Sequence, residues 1–319
     1  MHTVTLQPSG HQFQVEEGEA VLAAALRQGF VHVATITPMK RLLIVGYGDI
    51  ARRAAPPLSS RFELRMASRS NGMDLDRPES LASLEPADAV LHCAPPPQAG
   101  EGDTRTANLL ATLESRRILP TRFVYISTSG VYGDCRGARV DELRAVNPQS
   151  ARAKRRVHAE DQLALWCTRH RVALVVLRVP GIYALDRLPL ERLRAGTPTL
   201  RDQDDVHTNH IHAEDLAGIC VRALEDDAPA GTYNASDDTQ LKMGAWFDLV
   251  ADRARLPRPP RIARSEAAER MPPELLSFMN ESRRLDNGRL KGILGARLRY
   301  PTVREGLEGL THEHAVGVD

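Results

Sequence analysis

The sequence predicts an α/β protein built on a doubly wound parallel sheet, with a short β-β-α segment before it and a smaller lid after it. From Lys40 onward, apolar strand-like runs alternate with helical stretches, and a glycine-rich turn directly follows the first run. After Pro180 the pattern becomes mixed and rich in proline. Such alternation is typical of a parallel sheet with helices on both faces.

Composition places the chain among ordinary globular proteins of about one to two domains. Its 319 residues are 42% hydrophobic and 26% charged, and the net charge is +1. This charge is too small to indicate a general attraction to nucleic acid or to an anionic membrane. With no membrane-helix or signal-peptide pattern, we expect a cytoplasmic protein whose partner is a small-molecule substrate. A homodimer stays open.

The opening segment combines two short strands with a helix. The strands are predicted at residues 4–7 and 12–15, around Ser9-Gly10, and the helix at 18–28. Residues 4–29 resemble the start of a plant-type [2Fe–2S] ferredoxin domain. Since residues 30–38 contain no cysteine, we expect no cluster there. Residues 1–38 are either a docked appendage or part of an over-long reading frame. Because Met39 directly precedes the first sheet strand, the sequence favours the second explanation.

The main domain is predicted from the strand and helix patterns that follow. Its helices are predicted at 104–117 and 151–170, and its strands at residues 41–45, 62–67, 87–93, 122–127 and 172–179. We expect residues 39–179 to form a dinucleotide-binding domain, whose sheet is completed by residues 204–235. The substrate lid would then comprise residues 180–203 and 236–319.

The glycine-rich turn indicates a dinucleotide. Gly46 and Gly48 follow the strand at 41–45, and Ala51 takes the third small position. Small residues here let backbone amides approach a pyrophosphate, and Asp49 and Ile50 open the helix that would face it. The alternative is a tight turn with no ligand. Pro56-Pro57 should shorten or kink this helix.

The end of the second strand favours NADP over NAD. An acidic residue at this place would hold the adenosine ribose, whereas the sequence has Ala67-Ser68-Arg69. The hydroxyl of Ser68 and the guanidinium of Arg69 suit a 2′-phosphate. NAD stays open, and Arg69 is alternatively one more solvated arginine.

Five motifs in order resemble the extended and atypical short-chain dehydrogenase/reductases, which include the NAD-dependent epimerase/dehydratases and have a Rossmann-like fold. The resemblance covers residues 39–319. The motifs are Gly46-Tyr-Gly-Asp-Ile-Ala51, His92-Cys-Ala-Pro95, Phe123-Val-Tyr-Ile-Ser-Thr-Ser-Gly-Val-Tyr-Gly-Asp134, Leu177-Arg-Val-Pro-Gly-Ile-Tyr183 and His210-Ile-His-Ala-Glu-Asp-Leu216.

The resemblance implies roles for individual residues. It gives Thr128 a hydrogen bond to the substrate oxygen. It gives cofactor contacts to Cys93, Ala94, Pro95, Pro180, Gly181 and Ile182. The family's Tyr-x-x-x-Lys pair, in which the lysine holds the nicotinamide ribose and lowers the phenol pKa, falls on Ser150 and Lys154. The predicted catalytic residues are therefore Thr128, Ser150 and Lys154.

The serine at the tyrosine position leaves two hypotheses for function. An alkyl hydroxyl is a much poorer proton donor and acceptor than a phenol. The chain is either an NADP-dependent enzyme of the epimerase/dehydratase type, acting on a carbonyl or carbinol of a substrate that can be sugar-like, or an NADP-binding sensor or interaction protein without that chemistry. Tyr132 and Tyr183 are substitutes to consider as the acid.

Two further clusters draw attention. His207, His210 and His212 have the composition of a metal site, but we expect no metal, since the His210-Ile-His212 part matches a structural family segment. Lys154 can alternatively lie on a solvated helix among arginines. Arg283-Arg284 are candidates to face an acidic or phosphorylated substrate.

Overall fold

A computed structural model of the chain describes residues 2–5, 12–28 and 39–310. These residues belong to two units, Met1–Met39 and Lys40–Asp319. The Ser9-Gly10 turn and residues 30–38 lie outside the described residues. Within the described residues, no helix has the length and apolar character needed to span a membrane.

The first unit contains a hairpin and one helix. Strand β1 (His2–Thr5) pairs antiparallel with β2 (Gln12–Val15), and α1 spans Val21–Arg27. Phe13 and Val15 pack with Ala24 and Ala25 in a small buried cluster.

The second unit is organised by a sheet of six parallel strands. In sheet order these are β13, β8, β6, β5, β3 and β4. Their bounds are Lys40–Val45 for β3, Phe62–Ala67 for β4, Ala89–His92 for β5, Arg122–Thr128 for β6, Ala173–Val179 for β8 and Gly231–Asn234 for β13. Chain order runs outward from β3 in both directions, so the predicted doubly wound sheet is confirmed. The switch point, where such sheets bind ligands, lies between β3 and β5.

Helices cover both faces of this sheet because its strands are apolar on both sides. Leu42 and Ile44 point into one core, and Leu43 and Val45 point into the other. The main helices are α2 (Asp49–Ser59), α3 (Thr104–Ser115), α4 (Ala151–His170) and α6 (Ala213–Ala223). Helix α2 continues through Pro56 and Pro57, which fall in its last turn.

A second group of short elements lies outside the six-stranded sheet, mostly in the segments predicted to form the substrate lid. The helices of this group are α5 (Leu190–Arg194), α7 (Met243–Ala254), α8 (Ala267–Arg270), α9 (Pro273–Met279), α10 (Gly288–Gly292) and α11 (Val303–Gly306). The short strands pair in twos: β7 (Arg139–Val140) with β16 (Arg284–Leu285), β9 (Gly181–Tyr183) with β12 (His210–His212), β10 (Thr199–Leu200) with β15 (Arg261–Ile262), and β11 (His207–Thr208) with β14 (Leu241–Lys242).

Candidate functional site

The glycine turn lies between β3 and α2, at the switch point of the sheet. Gly46 has φ +86°, and a Cβ built there would lie 2.6 Å from the backbone nitrogen of Ala94. Gly48 precedes α2, and a Cβ there would meet nothing within 4 Å. Gly46 is therefore required by the fold itself, whereas Gly48 leaves open space in front of the helix N-terminus, where backbone N–H groups lack partners.

A pocket of about 250 Å³ opens beside this turn, and we call it the Gly46 pocket. It brings together seven of the residues predicted to bind the cofactor: Gly46, Gly48, Ser68, Arg69, Cys93, Ala94 and Pro95. It also includes residues that sequence reasoning missed: Tyr47, Ala67, Met73, Asp74, Leu75 and Arg105. The loop after β4 and the start of α3 supply most of these, and neither carries a motif.

The charged groups of the Gly46 pocket differ in how they are engaged. Arg105 is bound to Asp76 at 2.6 Å and to the carbonyl oxygen of Pro95 at 3.0 Å. The exposed Arg69 makes no ion pair with any residue that the structure describes. The Asp74 carboxylate accepts a 3.1 Å hydrogen bond from the backbone N–H of Asp76. Arg69 is thus the guanidinium still available to a ligand.

Asp49 and Ile50 do not turn their side chains to this pocket. Although burial alone would raise the pKa of Asp49, hydrogen bonds from Arg187 and Arg53 hold that pKa below its usual value. Ile50 is 8% exposed and belongs to the core. Only the backbone N–H groups of these two residues, in the first turn of α2, remain for a ligand.

The predicted contacts after β8 lie on the other side of the cleft. Pro180 and Gly181 line a second pocket of about 180 Å³, which also contains Thr128 and which we call the Thr128 pocket. Ile182 is turned into the core below. The remaining lining residues were not predicted together: Ser129, Gly130, Arg152, His207, Thr208, Asn209, Met243, Phe278, Glu281 and Arg283.

Thr128 ends β6 next to the first turn of α4. Its Oγ1 accepts a 3.3 Å hydrogen bond from the N–H of Gly130. A Cβ on Gly130 would lie 3.6 Å from that oxygen and 3.8 Å from the Cβ of Ala153. The start of α4 is therefore held against the end of β6.

Helix α4 does not present Ser150 and Lys154 to either pocket. The Ser150 hydroxyl caps the helix, accepting a 3.2 Å hydrogen bond from the N–H of Ala153. Lys154 is exposed, and its ammonium group makes no ion pair with any residue that the structure describes. Ser150 is thus used as the helix cap, and Lys154 is exposed outside both pockets.

On the inward face of α4, Arg152 and Arg156 have the same four-residue spacing as Ser150 and Lys154. Arg152 lines the Thr128 pocket, and Arg156 donates hydrogen bonds of 2.9 Å to the Tyr125 hydroxyl and 2.6 Å to the carbonyl oxygen of Ile126. One turn later the buried Glu160 pairs with Arg178 at 2.7 Å. Residues at i, i+4 and i+8 share a helix face, so this face directs arginines toward the cleft.

The tyrosines considered as substitutes are buried away from the cleft. The Tyr132 hydroxyl donates a 2.8 Å hydrogen bond to Asn234, and the Tyr183 hydroxyl donates to the carbonyl oxygen of Thr302 at 3.4 Å. Burial raises the pKa of both phenols. Both are used in packing.

Of the three histidines, one faces the Thr128 pocket. His207 is half-buried, and its pKa is lowered by burial and by the nearby Arg284 and Lys242. His210 is buried, which lowers its pKa to about 3, and His212 accepts a 3.2 Å hydrogen bond from the N–H of Glu214 at the start of α6. Among the described residues, no group of histidine, cysteine and acidic side chains could hold a metal ion.

Comparison with known structures supports the same fold. A functionally unknown conserved protein from Silicibacter pomeroyi DSS is 30% identical, with a TM-score of 0.69 over 85% of this chain and 98% of that one. RMD from Pseudomonas aeruginosa, solved with NADPH, is 19% identical, with a TM-score of 0.66 over 86% and 99% of the two chains. The UDP-glucose 4-epimerase of Thermus thermophilus, solved with NAD, is 21% identical, with a TM-score of 0.67 over 88% and 100%.

No curated protein matches the sequence significantly. A family model does: that of the NAD dependent epimerase/dehydratase family matches residues 50–236, more than half of the chain. The open cradle at Gly48 and the pocket beside it fit the dinucleotide on which this family depends. The chain belongs to the NAD-dependent epimerase/dehydratase family.

Proposed function

We propose that this protein is an NADP(H)-dependent oxidoreductase or epimerase that acts on a carbonyl or carbinol group of a small substrate. The observation that carries the proposal is the position of two pockets at one sheet edge, one at the glycine turn and one around Thr128. A nicotinamide dinucleotide supplies the donor or acceptor of a hydride when it is bound. The Thr128 hydroxyl would hold the substrate oxygen.

Arg69 supports the choice of NADP. A guanidinium without a carboxylate partner can offer charge-assisted, two-pronged hydrogen bonds to a 2′-phosphate. Ser68 lies beside it, with its hydroxyl 2.8 Å from that of Ser70. The carboxylate in this pocket, Asp74, already accepts a hydrogen bond from its own loop.

Replacing Arg69 tests this choice directly. Arg69→Asp should weaken NADPH binding by about 1–3 kcal/mol, which is roughly 5- to 150-fold, with little change for NADH. Fluorescence titration with both cofactors gives the comparison. Equal effects on NADPH and NADH, or no effect on either, would reject the role of Arg69. Failure of the wild-type protein to bind either dinucleotide would reject the proposed function.

We assign the cationic role near the nicotinamide to Arg156 rather than to Lys154. Arg156 is fixed to the end of β6 by its hydrogen bond to Ile126, two residues before Thr128. Lys154 is exposed on the opposite side of α4. A guanidinium keeps its charge at every relevant pH, so it can orient polar groups but cannot itself give up the proton.

Proton exchange with the substrate oxygen is then a role for His207. Among the side chains that line the Thr128 pocket, it is the one able to change charge near neutral pH. Arg152 and Arg283 stay charged, and Glu281 is bound to Arg283. The lowered pKa of His207 keeps its imidazole neutral, which suits a base that takes a proton from a carbinol.

A second function is favoured by one observation, the use of the Ser150 hydroxyl as a helix cap. A protein that binds NADP(H) without turnover would act as a sensor or binding partner. Assays of NADPH oxidation against a panel of carbonyl compounds separate the two functions. Binding without turnover of any carbonyl would favour the sensor, whereas turnover that Thr128→Val abolishes would favour the enzyme.

A further inference from the structure

Arg152 has no polar partner in the part of the chain that the structure describes. It projects from the first turn of α4 into the Thr128 pocket, and its guanidinium carbon lies 4.4 Å above the ring centre of Phe278. It makes no hydrogen bond or ion pair with any described residue. Stacking on an aromatic ring leaves the N–H edges of a guanidinium free to donate.

The surroundings of Arg152 are strongly positive. Burial lowers its pKa, and Arg155, Arg156 and Arg283 act in the same direction. The opposing charge is that of Glu281, which forms an ion pair with Arg283. The exposed guanidinium of Arg152 therefore lies in a positive potential that attracts an anion.

The neighbouring arginines already have acceptors. Arg155 donates to the carbonyl oxygen of Gly100 at 2.7 Å, Arg156 donates to that of Ile126, and Arg283 donates to that of Gly133 at 3.2 Å. Arg152 is therefore the guanidinium left for a ligand. Its fork of donors matches the paired oxygens of a carboxylate or a phosphate.

The dimensions of the pocket place this anion close to the reacting oxygen. The Thr128 pocket measures about 180 Å³, below the roughly 300–1,000 Å³ of pockets that enclose a drug-sized ligand. Thr128, Gly130 and Arg152 line the same small space. A molecule that reaches both residues needs only a few atoms between its acid group and its carbonyl.

We propose that the substrate of this protein is a small oxo or hydroxy compound with its own carboxylate or phosphate, which Arg152 binds while Thr128 holds the reacting oxygen. This inference rests on the proposed function and names its substrate class. Arg152 contributes binding and orientation, and the acid group itself undergoes no chemistry.

Matched ligand pairs test the proposal. Binding to the NADP⁺-loaded protein is measured calorimetrically for 2-oxobutyrate against 2-butanone, and for dihydroxyacetone phosphate against dihydroxyacetone. We expect the acid-bearing member of at least one pair to bind about tenfold or more tightly than its neutral partner. The pair that shows the difference identifies carboxylate or phosphate as the anion.

Variants assign the preference to Arg152. Arg152→Gln should remove the difference within the pair and leave NADPH affinity unchanged, and Arg152→Lys should restore part of it. Arg169→Gln removes one exposed arginine near the far end of the same helix and should keep the difference. Equal binding within both pairs, or a difference that survives Arg152→Gln, would overturn the proposal. Failure of the wild-type protein to bind NADPH would instead count against the proposed function.

Discussion

Arg156 donates a 2.6 Å hydrogen bond to the carbonyl oxygen of Ile126 and thereby holds a permanent cation at the carboxyl end of the central strand β6. Its guanidinium carbon also lies 5.5 Å from the ring centre of Tyr125. Lys154, two residues earlier on the same helix, is exposed. Assigning the cofactor-binding cation to Arg156 or to Lys154 therefore leads to opposite predictions for variants of these two residues.

Arg156→Gln should weaken NADPH binding about tenfold or more, because a charge-assisted hydrogen bond typically contributes about 1.5–3 kcal/mol. Lys154→Gln should have the smaller effect, whereas the assignment from the sequence motif requires the reverse order. Fluorescence titration with NADPH ranks the two variants. If Lys154→Gln is the more damaging, the assignment of Arg156 is wrong.

Gly46 and Gly48 should respond differently to alanine. At Gly46, with φ +86° and Ala94 in contact, the added methyl group should lower the free energy of unfolding by about 1–3 kcal/mol. At Gly48 the methyl group meets open space, so stability should hold while NADPH affinity falls, because the cradle for the pyrophosphate is filled. Urea unfolding without cofactor, followed by NADPH titration, separates the two effects. A Gly48→Ala protein that binds NADPH normally would show that the cradle is not used.

The strands and helices of the sheet domain were predictable because their sequence signals lie in neighbouring residues. Runs of apolar residues with helical stretches between them gave strands within two residues of Lys40–Val45 and Ala89–His92, and the helix Ala151–His170 has the predicted bounds. The Gly46 pocket was partly predictable for the same reason, since its glycines directly follow a strand.

The register of α4 was not predicted correctly, because a spacing of four fits Ser150 and Lys154 as well as it fits Arg152 and Arg156. Which pair faces the cleft depends on where the helix begins and on which of its faces packs on the sheet, and both depend on tertiary contacts. Glu160 was a usable signal: counting back in fours from this buried acid leads to Arg156 and Arg152. His207, Phe278 and Arg283 lie far from Thr128 in the sequence and share a pocket with it only in the folded structure.

The pH dependence of carbinol oxidation should report His207. Since burial and nearby cations lower its pKa from the ordinary 6.5, the imidazole is neutral at pH 7 and can act as a base. We expect kcat/KM for oxidation with NADP⁺ to be constant above pH 6.5 and to fall tenfold per pH unit once the pH passes below the lowered pKa. In His207→Gln, kcat/KM should drop about 10²- to 10⁴-fold, and the decrease of kcat/KM at acidic pH should disappear. An unchanged acidic limb in the variant would exclude His207 as the base.

Asp237 should make the protein less stable as the pH rises. Its side chain is buried, Oδ1 accepts a 2.9 Å hydrogen bond from the N–H of Thr239, and Oδ2 has no hydrogen-bond partner among the described residues. Burial raises its pKa from 3.8 to about 7. The folded state therefore keeps a proton that the unfolded state releases, and this group costs increasing stability from about pH 4 to pH 7, up to about 4 kcal/mol.

Asp237→Asn keeps an acceptor for Thr239 and removes the charge. As the pH rises from 5 to 8, the free energy of unfolding of the variant should therefore increase by about 2–3 kcal/mol relative to that of the wild type. Urea unfolding at both pH values measures this difference. Asp238→Asn is the matched control: burial alone would raise the pKa of Asp238, but hydrogen bonds from Lys291 and Asn287 hold it below 3.8. The difference in free energy of unfolding between Asp238→Asn and the wild type should therefore be the same at pH 5 and at pH 8. If Asp237→Asn also shifts stability equally at pH 5 and pH 8, the buried carboxyl does not titrate in this range.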